Sequence, residues 1–235
     1  MPNPRATKGL ALSETAAPLQ IDIISDVMCP WCLIGKRRLE KALAMRPDTA
    51  VDIRWRPYQL DPTIPRGGID RQEYLSAKFG GPERAREIYA NIVAAGAEED
   101  VPFAFDAIKR SPNTIDAHRL IRWAATAGCQ EAVVERLFSL YFIEGRDVGD
   151  PAVLAEAAAD AGMDTAIVSE LLAGDADRDL VEKEVATARE IGVRGVPCFI
   201  VANRYVVMGA ERPEVIAGAI DMAVKDIAEG VAAPE

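Results

Sequence analysis

Two cysteines separated by two residues, in Cys29-Pro30-Trp31-Cys32, are the part of this chain best suited to covalent chemistry. Thiols at that spacing can close a tight disulfide ring, and each can attack or leave in thiol–disulfide exchange. Two plainer readings attach to the same residues: half of a zinc site, or a pair of unpaired core cysteines. Zinc takes four ligands, usually from two such pairs, and the rest of the chain offers Cys129, Cys198 and one histidine, His118, none at ligand spacing. The redox reading is favoured, and no bound metal is expected.

The elements on either side place the thiols. Ile21, Ile23 and Ile24 form a β-branched run that ends at Ser25-Asp26, and Leu33, Ile34, Leu39, Leu43 and Met45 recur at helical spacing. The pattern predicts a strand over 20–25 and a helix over 29–45, with the cysteines where one hands over to the other. The first turn of a helix carries unpaired N–H groups and the positive end of its dipole, so a thiolate at Cys29 would be stabilised there. Pro30 suits the first helical position. Cys29, outside the helical ladder, is expected to be the exposed nucleophile, and Cys32, one turn in, the more buried resolving thiol. Asp26 is the nearest acid; a helix cap is favoured for it over a proton acceptor for Cys32.

At 235 residues the chain can bury an ample core, as one large domain or two small ones. A net charge of −10 argues against nucleic-acid and anionic-membrane partners. Four cysteines, two of them in one motif, do not make a disulfide framework and fit a reducing compartment. Residues 1–19 lack the apolar run of a secretory signal and read as a flexible tail. No stretch of about twenty apolar residues could span a bilayer. A cytoplasmic protein is expected.

Further along, Val51-Asp52-Ile53-Arg54-Trp55-Arg56 alternates apolar and polar, which predicts a half-exposed strand at a sheet edge. Strand, helix and strand with a crossover of this length make a parallel unit. Pro57, Pro62, Pro65 and Gly67-Gly68 mark a boundary near 60–68. From 70 to 191 the pattern is helical, with segments over 71–79, 82–97, 114–127, 131–141, 151–161, 165–172 and 177–191. Asn113 or Thr114 caps the third, Asp150-Pro151 supplies cap and first-turn proline for the fifth, and Asp164 caps the sixth. In the last, Leu180, Val181, Val185, Ala188 and Ile191 form one apolar stripe, ended by Gly192. His118, beside Leu120 and Ile121, reads as structural rather than catalytic.

Strand character then returns in Cys198-Phe199-Ile200-Val201 and Tyr205-Val206-Val207-Met208, followed by a helix over 213–228. The simplest architecture is an α/β domain of residues 20–68 and 192–235, interrupted by a helical domain of residues 69–191. Gly195-Val196-Pro197 stands just before the returning strand. Taken alone, Pro197 is an ordinary proline at a strand start, although X-Pro is the bond where the cis form is accessible.

CPWC at a helix start, a long helical insertion, and GVP before a terminal hairpin and helix resemble the thioredoxin fold in its DsbA-like form. SDVMCPWCLIGKRRLE, SPNTIDAHRLIRWA, LFSLYFIEGRDVGDPAVLAEAAADAGMD and GVRGVPCFIVANRYVVMGA are similar to its FrnE-like branch, over residues 20–228. The resemblance implies an α/β, thioredoxin-like fold with an inserted all-helical domain, and a thiol–disulfide oxidoreductase. It implies that Cys29 forms a mixed disulfide with substrate and that Cys32 resolves it. It further implies that Pro197 is cis and faces the pair, and that the Val196 backbone binds an extended substrate segment as an added strand.

Pro30 and Trp31 would shape the site and set its potential. DsbA proteins carry histidine where Trp31 stands, so a weaker oxidant than DsbA is expected. Cys198, where the family more often has Thr, Phe or Ala, reads as a packed small hydrophobe rather than a third redox thiol, and Cys129 as inert. The expected partners are thiol or disulfide substrates, protein or glutathione, with no cofactor beyond glutathione as a redox partner. A related alternative is a glutathione-dependent isomerase or transferase, of the hydroxychromene-carboxylate isomerase or kappa-class type. Those proteins have serine where Cys29 stands and no second cysteine, so the two thiols here favour the oxidoreductase.

Overall fold

The computed structural model describes residues 17–231. In chain order the elements are Leu19–Ser25 (β1), Pro30–Ala44 (α1), Val51–Pro57 (β2), Ile69–Asp70 (β3), Arg71–Phe79 (α2), Pro82–Ala97 (α3), Arg110–Ser111 (β4), Ile115–Thr126 (α4), Gln130–Phe142 (α5), Pro151–Asp160 (α6), Thr165–Ala173 (α7), Arg178–Glu190 (α8), Cys198–Val201 (β5), Tyr205–Met208 (β6) and Pro213–Ala228 (α9). A 3-10 turn, Phe105–Ala107, precedes β4.

The main sheet has the order β2-β1-β5-β6. β1 runs parallel to β2, with Ile21 opposite Ile53 and Ile23 opposite Trp55, and antiparallel to β5, with Ile24 opposite Cys198. β1, in the interior of the sheet, is buried along nearly its whole length, whereas β2, at the edge, alternates apolar and polar. Leu19 already pairs with Val51, so β1 begins inside the stretch expected to be a tail; residues 1–16 of that stretch lie outside the described residues. The free side of β2 is closed by a side chain: Gln130 accepts the Trp55 N–H at 3.0 Å and donates to the Trp55 carbonyl at 3.3 Å. Edge groups left open would invite another strand, and this amide occupies them.

Strand alternation divides the core. Ile21, Ile23, Phe199 and Val201 share one cluster with Leu33 and Leu39 of α1 and with Ile216 and Ile220 of α9. Ile24 and Cys198 fall in a second, smaller cluster with Tyr58, Ala188 and Val193.

Between β2 and β5 the chain is helical, as expected, with one short ribbon besides. Ile69 and Asp70 pair with Ser111 and Arg110 in a ribbon too short for any alternation to announce. Asp150 and Asp164 accept the N–H groups that open α6 and α7, at 2.8 and 2.9 Å. Thr114 holds the N-cap position of α4 without a side-chain bond, and it is Asn113 Oδ1 that accepts the Ile115 N–H, at 3.1 Å. The stripe on α8 is narrower than its sequence suggests: Val181, Val185 and Ala188 are buried, but Leu180 is 46% and Ile191 62% exposed.

Helix α1 lies hard against the start of β5. A Cβ at Gly35 would stand 2.6 Å from Pro197 Cγ and 3.2 Å from Phe199 Cζ. Gly35→Ala must push the helix off the strand, and is expected to destabilise the fold by about 1–3 kcal/mol. The measurement is a urea titration, with a lower midpoint at unchanged slope expected; an unchanged midpoint would show that the contact has slack.

Candidate active site

Cys29 is the N-cap residue of α1, with extended backbone at φ −92°, and Pro30 follows at the first helical position. Its N–H is held by the Asp26 carbonyl at 2.9 Å, and its own carbonyl accepts the Cys32 N–H at 3.0 Å. These bonds fix one cysteine at the mouth of the helix and the other one turn behind it. Both are free thiols.

The expected exposure of Cys29 needs correcting. Cys29 is 4% exposed and Cys32 0%, so the order of burial is as anticipated while the expected nucleophile is itself covered. The cover comes from the far end of the chain: the Val196 carbonyl stands 3.5 Å from Cys29 Sγ. The Val196–Pro197 peptide is cis, and Pro197 is buried against α1. Among the described residues the Val196 N–H has no hydrogen-bond partner, while the Pro197 carbonyl accepts the Gly209 N–H at 2.7 Å as part of the hairpin. Trp31, at 37% exposed, is the open part of the motif.

Burial, and after it the hydrogen bond to Cys29 and the charge there, push the Cys32 thiol well above its ordinary value. Hydrogen bonds from the Ser25 side chain and the Asp26 backbone pull it part of the way back. Cys32 is thus held as a neutral thiol at neutral pH, in contact with polar groups at the end of β1.

Asp26 does not cap α1. Its carboxylate is fully buried, and it accepts the Leu60 N–H at 2.7 Å and the Met28 N–H at 3.4 Å. His118 Nε2 lies 3.6 Å from its other flank and 2.8 Å from the Tyr58 carbonyl. The acid therefore pins the loop after β2 beneath the motif, and no hydrogen bond joins its carboxylate to either sulfur among the described residues. His118, taken from the sequence as a structural residue, is buried in α4 and touches the acid nearest the thiols.

The remaining cysteines lie elsewhere. Cys198 follows Pro197, but it packs with Ile24 and Tyr58 in the second cluster, whereas Cys29 and Cys32 belong to the first. Burial raises its thiol to about 11. Cys129 is half-buried at the N-cap of α5. Among the described residues no group of three or more His, Cys, Asp or Glu side chains is arranged to hold a metal ion. Ser25 and Gly35 were not singled out from the sequence. For Gly35 a signal existed, since a glycine inside a helical run marks close approach of another element; for Ser25 there was none.

The sequence profile of the DsbA-like thioredoxin domain matches residues 20–221. A probable DsbA oxidoreductase from Streptomyces coelicolor is 32% identical, superposes with a TM-score of 0.80, and is matched over 92% of both chains. The cytosolic disulfide reductase DsbM from Pseudomonas aeruginosa, solved with GSH, is 20% identical over 91% of this chain and 99% of its own, with a TM-score of 0.59. A 2-hydroxychromene-2-carboxylate isomerase is 16% identical over 91% of this chain and 100% of its own, with a TM-score of 0.61. At those two identities the likeness is one of fold: a thioredoxin-like sheet with a helical insertion. With a profile match across residues 20–221 and a relative 32% identical over 92% of its length, the chain belongs to the DsbA-like thioredoxin domain family.

Proposed function

We propose that this chain is a cytoplasmic thiol–disulfide oxidoreductase that works through Cys29 and Cys32. The observation that carries the reading is the convergence at one helix mouth of two free thiols, one behind the other, with the Val196 carbonyl 3.5 Å from the outer sulfur. Cys29 stands at the N-terminus of α1, the positive end of the helix dipole. Its thiolate attacks one sulfur of a substrate disulfide; the other substrate sulfur leaves as thiolate and takes a proton. Cys32 then gives up its proton and attacks Cys29 Sγ, which frees the second substrate thiol and leaves the Cys29–Cys32 disulfide. Two thiols of the glutathione class, acting in turn, return the pair to the dithiol and leave joined as their own disulfide; run backwards, the same steps oxidise a substrate dithiol. The structure of DsbM with GSH supports that choice of partner.

The unpartnered Val196 N–H and its carbonyl are the groups that would pair with an extended substrate backbone, while Pro30, Trp31 and Pro197 shape the surface it meets. Asp26 is the proton acceptor for Cys32, through a water, since its oxygens are turned to Leu60 and Met28. An isomerase that only orients glutathione needs no second sulfur held neutral in the core, which is why the oxidoreductase is preferred. The cytoplasmic assignment rests on the sparing use of cysteine outside the motif. It is compatible with the finding that no helix among the described residues is long and apolar enough to cross a membrane.

Cys29→Ser is expected to abolish reduction of insulin and of glutathione disulfide. Cys32→Ser keeps the first attack and accumulates a mixed disulfide visible by intact mass. Turnover that survives in Cys29→Ser would sink the assignment. The second step has its own signature. Because the folded protein holds Cys32 above its ordinary value, the resolving thiol is protonated at neutral pH, and resolution should accelerate as pH rises through and beyond 9.0. Asp26→Asn should slow that step at neutral pH by about 10²-fold or somewhat less and leave the alkaline rate unchanged, where hydroxide takes the proton. Stopped-flow measurement of mixed-disulfide decay reads both; a flat pH profile contradicts the assignment of Cys32.

A further inference from the structure

Two arginines are buried among the described residues, and the protein treats them differently. Arg119 is fully answered: Asp116 Oδ1 accepts from Nη1 at 2.7 Å, and the carbonyls of Leu171, Gly174 and Ala176 take Nη2 and Nε at 2.6 to 2.9 Å. Arg71, the first residue of α2, is 5% exposed and has no carboxylate. Its Nη1 donates to the Tyr141 hydroxyl at 3.1 Å, and Nη2 is enclosed without a partner. The guanidinium carbon lies 5.1 Å from the Tyr89 ring centre, 5.8 Å from that of Phe105 and 6.0 Å from that of Tyr141. Ring faces offset part of the desolvation of a cation, but they supply neither an acceptor for Nη2 nor a counter-charge.

Arg71 lines a cavity of about 460 Å³ between α2, α3 and the 105–109 segment. That is the size of a small-molecule site, roughly 300–1,000 Å³. Tyr89, Phe105, Leu75 and Ile108 give it an apolar and aromatic wall. Arg86 and Lys109 stand on its exposed rim; among the described residues neither is in an ion pair, and Lys109 Nζ donates to the Asp106 carbonyl at 2.8 Å. Of the two acids on the lining, Asp70 is committed to the N–H groups of Gln72 and Glu73, at 2.8 and 3.0 Å, and Asp106 is exposed. In a chain of net charge −10, three unpaired cations around one apolar hollow call for an anion.

We propose that this cavity is a binding subsite for a small organic carboxylate with an apolar or aromatic body, and that Arg71 holds its charge. The body fills the wall of rings, the carboxylate faces the guanidinium, and Arg86 and Lys109 draw the acid in. Nη2 is sealed behind the rings, so full engagement moves Tyr89, which is only half-buried. The subsite is a cavity of its own, lined by neither Cys29 nor Cys32. It does not depend on the thiol chemistry.

The test is calorimetric titration with 2-naphthoate and with its uncharged counterpart 2-naphthalenemethanol, on the wild type and on Cys29→Ser/Cys32→Ser. Naphthoate should bind both proteins equally, and the alcohol at least about tenfold more weakly, the worth of one charge-assisted hydrogen bond. Retained binding in the double variant separates this site from the disulfide exchange proposed above. Arg71→Met, checked for folding by circular dichroism, should lose the preference for the acid. The rim variant Arg86→Ala/Lys109→Ala, exposed at both positions, should weaken naphthoate several-fold and flatten its salt dependence, and it decides the matter if Arg71→Met does not fold. An acid bound no better than the alcohol by wild type overturns the proposal. So does an acid preference that survives Arg71→Met, or, where that variant does not fold, one indifferent to the rim variant.

Discussion

Helix α1 and the start of β5 share one small volume, and both can occupy it because residue 35 has no side chain. Everything at the site follows from that approach. α1 grows out of β1, and β5 lies beside β1 in the sheet, so the two elements are fixed to the same strand. With the Pro197 ring seated against the helix one turn past Cys32, the preceding carbonyl can fall only near the helix mouth. Cys29 and Val196 stand 167 positions apart in the chain and meet within 3.5 Å. The whole insertion lies between them in sequence and contributes no strand to the sheet that sets this geometry.

The second constraint is the complete burial of the inner thiol. A fully buried sulfur resists ionising, and the fold leaves that resistance in place while giving Cys32 polar company at the end of β1. The buried Asp26 is tolerable because its charge is met by two backbone N–H groups, with the His118 ring alongside. That arrangement joins the end of β1, the loop after β2 and α4 in one knot beneath the thiol pair. Arg119, one position further along α4 than His118, repeats the principle toward the other side, tying α4 to the chain between α7 and α8.

The parts of this structure legible in the sequence were those written locally. α2 and α3 begin and end where Gly80-Gly81, Pro82 and their periodicity place them, and the strand alternation of β2 gave its edge position. The motif itself located the cysteines at the mouth of α1, and the family resemblance supplied the topology that joins the two halves of the sheet. What escaped was set by partners far away in sequence. The burial of Cys29 depends on residue 196, the role of Asp26 on an amide at residue 60, and the exposure of Leu180 and Ile191 on the absence of a neighbour over that side of α8. The β3–β4 ribbon, two residues per strand, is below the length at which a period of two can be recognised.

As the nucleophile proposed above, Cys29 at 4% exposed must be reached by a route that uncovers it. The geometry offers one, because the group that shields Cys29 is the same backbone unit whose N–H is unpartnered. On the function proposed above, an extended segment laid along Val196 would take its N–H and share its carbonyl, which has two lone pairs, with the sulfur. The thiol contact is the weaker of the two bonds to that oxygen, so it is the one that a docked strand would displace first.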